Sequence, residues 1–187
     1  MKVSVLPNKF KNHYFYISPL TGKLYKVDTY VFKKIEFDEK LKKALSAVDD
    51  PYSFEILDPN ASSVELNNEV LNKLSKFNNN LLKIGNKNFF LSLTYARIKN
   101  ILFETSVEAF DAVSNLEMHK KNKNDLCLQR TLLILKSSKS FKKNGVLFIG
   151  ASLPSGKMHA WIIENGVQPD RLDRNWIMYK PLLAIYY

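Results

Sequence analysis

Apolar and polar positions first fall into a strand pattern at YFYI (residues 14–17) and LYKV (24–27), separated by SPLTG. β-prone runs around a Pro/Gly turn predict a hairpin. Asp28 is a candidate cap for a helix to about Leu45, with Val31, Phe32, Ile35, Leu41 and Leu45 as an imperfect apolar stripe. The breaker-rich DDPYSFEILDPNASS holds one more candidate strand, Ser53 to Leu57. Val64, Leu66, Val70, Leu71, Leu74 and Phe77 recur at helical spacing, and KFNNN after them predicts a linker.

The second half is patterned more clearly. One or two helices are predicted from Phe89 to Met118, through Phe90, Leu93, Ala96, Arg97, Ile101 and Leu102, then Val107, Phe110, Val113 and Leu116. The polar HKKNKND interrupts them, Leu126 to Leu135 starts a new helix, and KSSKSFKKNG ends it. Two strands, VLFIGAS and HAWIIE, are joined by the turn LPSGKM, and LLAIYY predicts a last strand. The class is α+β: a small strand and helix region over 1–80, then an α+β region over 88–187.

A chain of 187 residues suffices for one sizeable core or two small domains. The net charge of +10 attracts anionic partners in general and selects none. Its lysines are spread over surface-like positions, densest in HKKNKND and KSSKSFKKNG, without the basic and aromatic grouping of a nucleic-acid reader. The reading therefore expects no nucleic-acid partner. No apolar run reaches the ~18 residues of a membrane span, and the N-terminus lacks a signal-peptide pattern. One cysteine excludes an internal disulfide and fits a reducing cytosol. Neither a metal-ligand spacing nor a Gly-rich phosphate loop is present, and His13 and His119 are expected to be solvated.

The sequence places Cys127 at a helix start, His159 at a strand start, and Asp170 and Asp173 shortly after that strand. Each position has a chemical rationale. Backbone N–H groups at a helix start favour a thiolate and can stabilise an oxyanion. A histidine on a neighbouring strand can deprotonate the sulfur and later protonate a leaving amine. A carboxylate can orient that imidazole. Taken singly, a helix cysteine is more often packing, and aspartates in a polar segment are more often solvated or in turns.

The three blocks read together are more specific. CLQRTLLIL, GVLFIGAS and HAWIIENG resemble the transglutaminase-like leader peptidases of lasso-peptide gene clusters, through Cys127, Leu128, Arg130 and Leu132, then Ile149 and Gly150, then His159, Ala160, Trp161 and Gly166. The resemblance covers about 88–187. It implies a papain/transglutaminase-like domain with its nucleophile at a helix start packed on an antiparallel sheet. Cys127 is then the nucleophile, His159 the base and acid, and Asp170 the orienting acid. VQPD is slightly short of the family register and Glu164 sits one residue late, so Asp173 is the alternative acid. Arg130 reads as an ion-pair or packing residue of the helix.

The front region, YFYISPLTGKLYKVD, resembles the hairpin of the small winged-helix leader-recognition domains of ribosomal peptide pathways. Such domains add the leader as a strand on a sheet edge. The resemblance makes Tyr14, Phe15, Tyr16, Tyr25 and Val27 candidate peptide-binding residues, although they serve equally well as the core of a small sheet. The implied function is cleavage of the leader from a precursor peptide in the bacterial cytoplasm, before an asparagine-synthetase-like cyclase closes the ring. The expected bound cofactor is none; any ATP requirement is assigned to the complex with the cyclase. The competing readings are acyl transfer to an amine by the same triad, as in transglutaminases or arylamine N-acetyltransferases, and a non-catalytic leader-binding chaperone.

Overall fold

The computed structural model describes residues 1–28, 38–49, 67–85, 88–98, 100–117, 127–153, 155–170 and 176–187. It is a mixed α+β structure with antiparallel sheets. The main sheet has four strands in the order β1-β7-β5-β6: β1 is Lys2–Val5, β5 Gly145–Ala151, β6 Met158–Glu164 and β7 Lys180–Tyr186. A second sheet has the order β2-β3-β4, from Asn8–Phe10, His13–Ile17 and Leu24–Val27.

Strand β5 is buried along its whole length, as expected of a strand covered on both faces, which then reads as an unbroken apolar run. Its side chains alternate between two cores. Leu147, Ile149 and Ala151 join the larger core with Ala160, Ile162, Leu183 and Ile185. Val146 and Phe148 face the smaller core with Trp161, Ile163, Ala184 and Tyr186.

Helices α2 (Asn68–Gly85), α3 (Phe89–Arg97), α4 (Ser106–Glu117) and α5 (Cys127–Ser137) supply apolar residues to the larger core. Helix α1 (Glu39–Asp49) covers the other face through Leu41 and Ala44. Helix α5 is buried without interruption from Thr131 to Ser137. Its neighbours α2, α3 and α4 leave it no solvent face there.

Several sequence expectations meet the structure directly. The hairpin forms as β3 and β4, in register from Tyr14↔Val27 to Ile17↔Leu24. The expected linker KFNNN is instead the middle of α2. Phe77 and Leu81 are core residues there, and buried Asn78 accepts hydrogen bonds from the Gln129 amide on α5. Tertiary partners thus hold asparagines in a helix against their local preference for turns. Among the described residues of the stretch 89–117 there are two helices, α3 and α4. KSSKSFKKNG carries a short helix, α6 (Lys139–Asn144), whose Ser138 side chain accepts from the Phe141 N–H.

The cap of α1 is Asp38, which accepts from the Leu41 N–H, while Asp28 hydrogen-bonds His13 Nδ1 at 2.8 Å. His13, expected to be solvated, is therefore paired. The candidate strand 53–57 and His119 lie outside the described residues. Across the expected boundary at 80–88, one core is shared: Ile17, Leu74, Phe77 and Leu81 pack with Leu132, Leu133 and Leu147. Strand β1 also pairs with β7, from Lys2↔Tyr186 to Val5↔Leu183.

Candidate active site

Strand β6 is an outer strand of its sheet, with β5 on one side. At its far end, Asn165 (φ 55°) and Gly166 (φ 85°) turn the chain back, the Asn-Gly pattern of a tight hairpin turn. Glu164 and Val167 then exchange two backbone hydrogen bonds, of 2.8 and 3.0 Å. The backbone polar groups of Glu164 therefore point away from β5. By the two-residue period of a strand, those of Ala160 point outward too.

That outward edge meets the start of α5. Cys127 is the first helical residue described there, and it is half-buried. Its sulfur is engaged by the His159 side chain and by the backbone N–H groups of Ala160 and Leu128. Burial pushes the thiol pKa up, but the His159 hydrogen bond and charge, followed by the two N–H groups, outweigh it. The net direction is down, toward thiolate. Expected nucleophile and expected base are thus brought into contact.

The third expected member is anchored from the same helix. The hairpin turn sends Asp170 back beside α5, where its carboxylate meets the Arg130 guanidinium at 2.7 Å. Asp170 is almost wholly buried, its side chain 4% exposed, and Arg130 is 18% exposed. Arg130 also lies over the Phe110 ring, 5.9 Å from its centroid. The ion-pair reading of Arg130 is met, with a partner the sequence did not name. Asp173 lies outside the described residues.

Two aromatic rings pack against His159. Trp161 stacks at 6.1 Å and 13°, and Tyr179 approaches to 4.9 Å at 31°. Trp161 is wholly buried and continues to Phe148 and Trp176. The HAW spacing announced Trp161. Nothing local announced Tyr179, twenty residues downstream, because β7 is brought beside β5 only in the folded chain.

Gly150 of the FIGAS run has a steric reason. A Cβ there would lie 2.3 Å from the Lys180 carbonyl oxygen and 2.7 Å from the Trp161 ring. The register between β5 and β7 slips at this point, from Ile149↔Leu183 to Gly150↔Pro181, leaving Leu182 as the extra residue of a bulge.

The candidate peptide-binding residues divide between two faces. Tyr16 and Tyr25 stack at 5.3 Å and 14°, and Tyr14 pairs with Val27 on that same face. Phe15 points to the opposite face, against the larger core. Strand β4, which carries Tyr25 and Val27, ends its sheet.

Among the described residues, no three His, Cys, Asp or Glu side chains cluster as metal ligands would. No helix there is long and apolar enough to cross a membrane. No family model, curated protein or solved structure matches the chain. Chemically, the arrangement can hold a thiolate beside an imidazole and within reach of backbone N–H donors, the equipment for attack on a carbonyl carbon.

Proposed function

We propose that the chain is a cysteine peptidase that removes the leader from a lasso-type precursor peptide. The observation carrying this reading is the contact between the Cys127 sulfur and His159 at the start of a helix packed on an antiparallel sheet. The same arrangement supports a papain/transglutaminase-like reading of the back region.

In the proposed reaction the Cys127 thiolate attacks the carbonyl carbon at the leader–core junction. The resulting oxyanion lies near backbone N–H groups such as that of Leu128. As the C–N bond breaks, imidazolium His159 gives its proton to the leaving amine, and the leader remains as a thioester on sulfur. Neutral His159 then takes a proton from water, whose oxygen attacks the thioester. Collapse releases a leader carboxylate and restores the thiolate and imidazolium. Asp170, held by Arg130, is the proposed orienting acid. The freed core amine is the group that an asparagine-synthetase-like cyclase acylates, and any ATP consumed is assigned to that complex.

The front region is proposed to be winged-helix-like and to take the leader as an added strand on β4, with Tyr14, Tyr16, Tyr25 and Val27 as selective contacts. The test is mass spectrometry of a lasso-type precursor incubated with the protein, with and without the cyclase. The expected products are a leader with a free carboxyl and a core with a free amine, both lost in Cys127→Ala while leader affinity is retained. An amide on the leader would move the reading to acyl transfer. Cleavage supported by the cyclase and unaffected by Cys127→Ala would move it to a chaperone.

A further inference from the structure

We propose that Tyr179 is a positioning residue, whose ring clamps His159 against Trp161 and so holds the imidazole in line with the Cys127 sulfur. The inference rests on the thiol–imidazole pairing proposed above, and not on the identity of the peptide.

His159 lies near the exposed start of an outer strand, opposite Gly150 of β5. A ring in that place needs a second wall. Trp161 supplies one, two residues along the same face, and is itself fixed by Phe148 and Trp176. Tyr179 supplies the other at 4.9 Å, within the 4.5 to 7 Å range of favourable aromatic pairs.

Backbone geometry puts Tyr179 there. Its N–H donates to the Trp176 carbonyl at 3.0 Å, closing the short 3-10 helix Trp176–Met178. The next residue, Lys180, brings its carbonyl oxygen into the space that a Cβ on residue 150 would fill. Residue 150 is in turn the cross-strand partner of His159. Gly150 therefore permits the close approach of β7 that brings the tyrosine ring to the base. The glycine of FIGAS and a tyrosine outside every motif form one device.

The test uses the full-length chain and two readouts. The first is the rate of Cys127 alkylation by iodoacetamide at neutral pH, followed by intact mass, which the single cysteine makes unambiguous. The second is the ring-current shift of the His159 ring protons by NMR, assigned with a His159→Asn control. Tyr179→Phe keeps the ring, Tyr179→Leu keeps apolar bulk without it, and Tyr179→Ala removes both. The expected result is wild-type behaviour for Phe, with alkylation slowed about three- to tenfold in Leu and Ala, the factor an aromatic pair of this kind carries. The part of the ring-current shift that Tyr179 contributes should disappear in those two variants, leaving the part from Trp161.

Unchanged alkylation in Leu overturns the proposal, even if the shift is lost, because the ring would then pack without positioning. Loss in Phe as well as Leu also overturns it, assigning the effect to the phenol oxygen. If Ala does not fold, the Phe and Leu comparison decides alone. Slow alkylation of the wild type, unaffected by His159→Asn, would instead sink the underlying cysteine–histidine pairing.

Discussion

The reactivity of Cys127 depends on contacts made by residues far away in the chain. Because the net shift of its pKa is downward, thiolate persists below the ordinary thiol range. The alkylation midpoint of the native protein should lie below that of the same thiol in urea. In His159→Asn it should rise, and each unit of rise slows alkylation at neutral pH roughly tenfold. The linkage has a definite sign. A thiol ionising more readily in the fold adds stability fully above the unfolded pKa, and that increment is lost as pH falls through the lowered folded pKa. Urea midpoints compared between wild type and Cys127→Ser across that window would show it.

The Arg130–Asp170 pair is also settled at this scale. Both partners are largely withdrawn from water, so removing one strands the other's charge. Arg130→Gln should cost about 3 kcal/mol in urea denaturation. The sequence identified Arg130 as an ion-pair or packing residue, but its partner lies forty positions away, at a separation no pattern encodes.

At the scale of elements, the bulge between β5 and β7 is the most demanding joint. Gly150→Ala forces a methyl group against a backbone carbonyl that cannot move independently of β7. A loss of about 2 kcal/mol or more is expected in thermal or urea unfolding, in the range of overpacked cores.

A second joint lies at the end of α5. Lys136 is only 3% exposed. Its ammonium donates to the Tyr95 and Ile98 carbonyls and lies 4.3 Å and 5.1 Å from the Tyr95 and Phe77 ring centroids. This lysine caps the end of α3 from a neighbouring helix. Burial pushes its pKa down. Lys136→Met keeps the stem and removes the donors, so hydrogen exchange of amides near residues 95–102 should accelerate while the sheet stays protected. Sequence inspection counts Lys136 among the surface lysines; only the packing of α2 and α3 around it makes it a core residue.

At the scale of the molecule, the two halves of the chain are interleaved. β1 supplies the outer partner of β7, and α2 covers α5 with Leu74, Phe77 and Leu81. A fragment of residues 88–187 would expose both the edge of β7 and the apolar side of the cysteine helix. It should fail to unfold cooperatively in denaturant, whereas the full chain should do so. A cooperative transition in the fragment would show that the back region is self-sufficient.

By itself the sequence determined the elements that carry strong periodicity: the hairpin at 14–27, the cysteine helix, and the three apolar strands after residue 144. It also marked Cys127, His159 and the two aspartates Asp170 and Asp173 as chemically able groups, since helix starts, strand starts and turns are local properties of the chain. Tertiary structure alone decided that KFNNN is helical, because Gln129 satisfies Asn78 and the core takes Phe77 and Leu81. It also decided that β1 belongs to the main sheet, that the Phe15 side of the hairpin packs on the larger core, and that Tyr179 meets His159. The physical reason is common to all four. Periodicity encodes which side of an element seeks burial, but which distant surface provides that burial is encoded only in the packed whole.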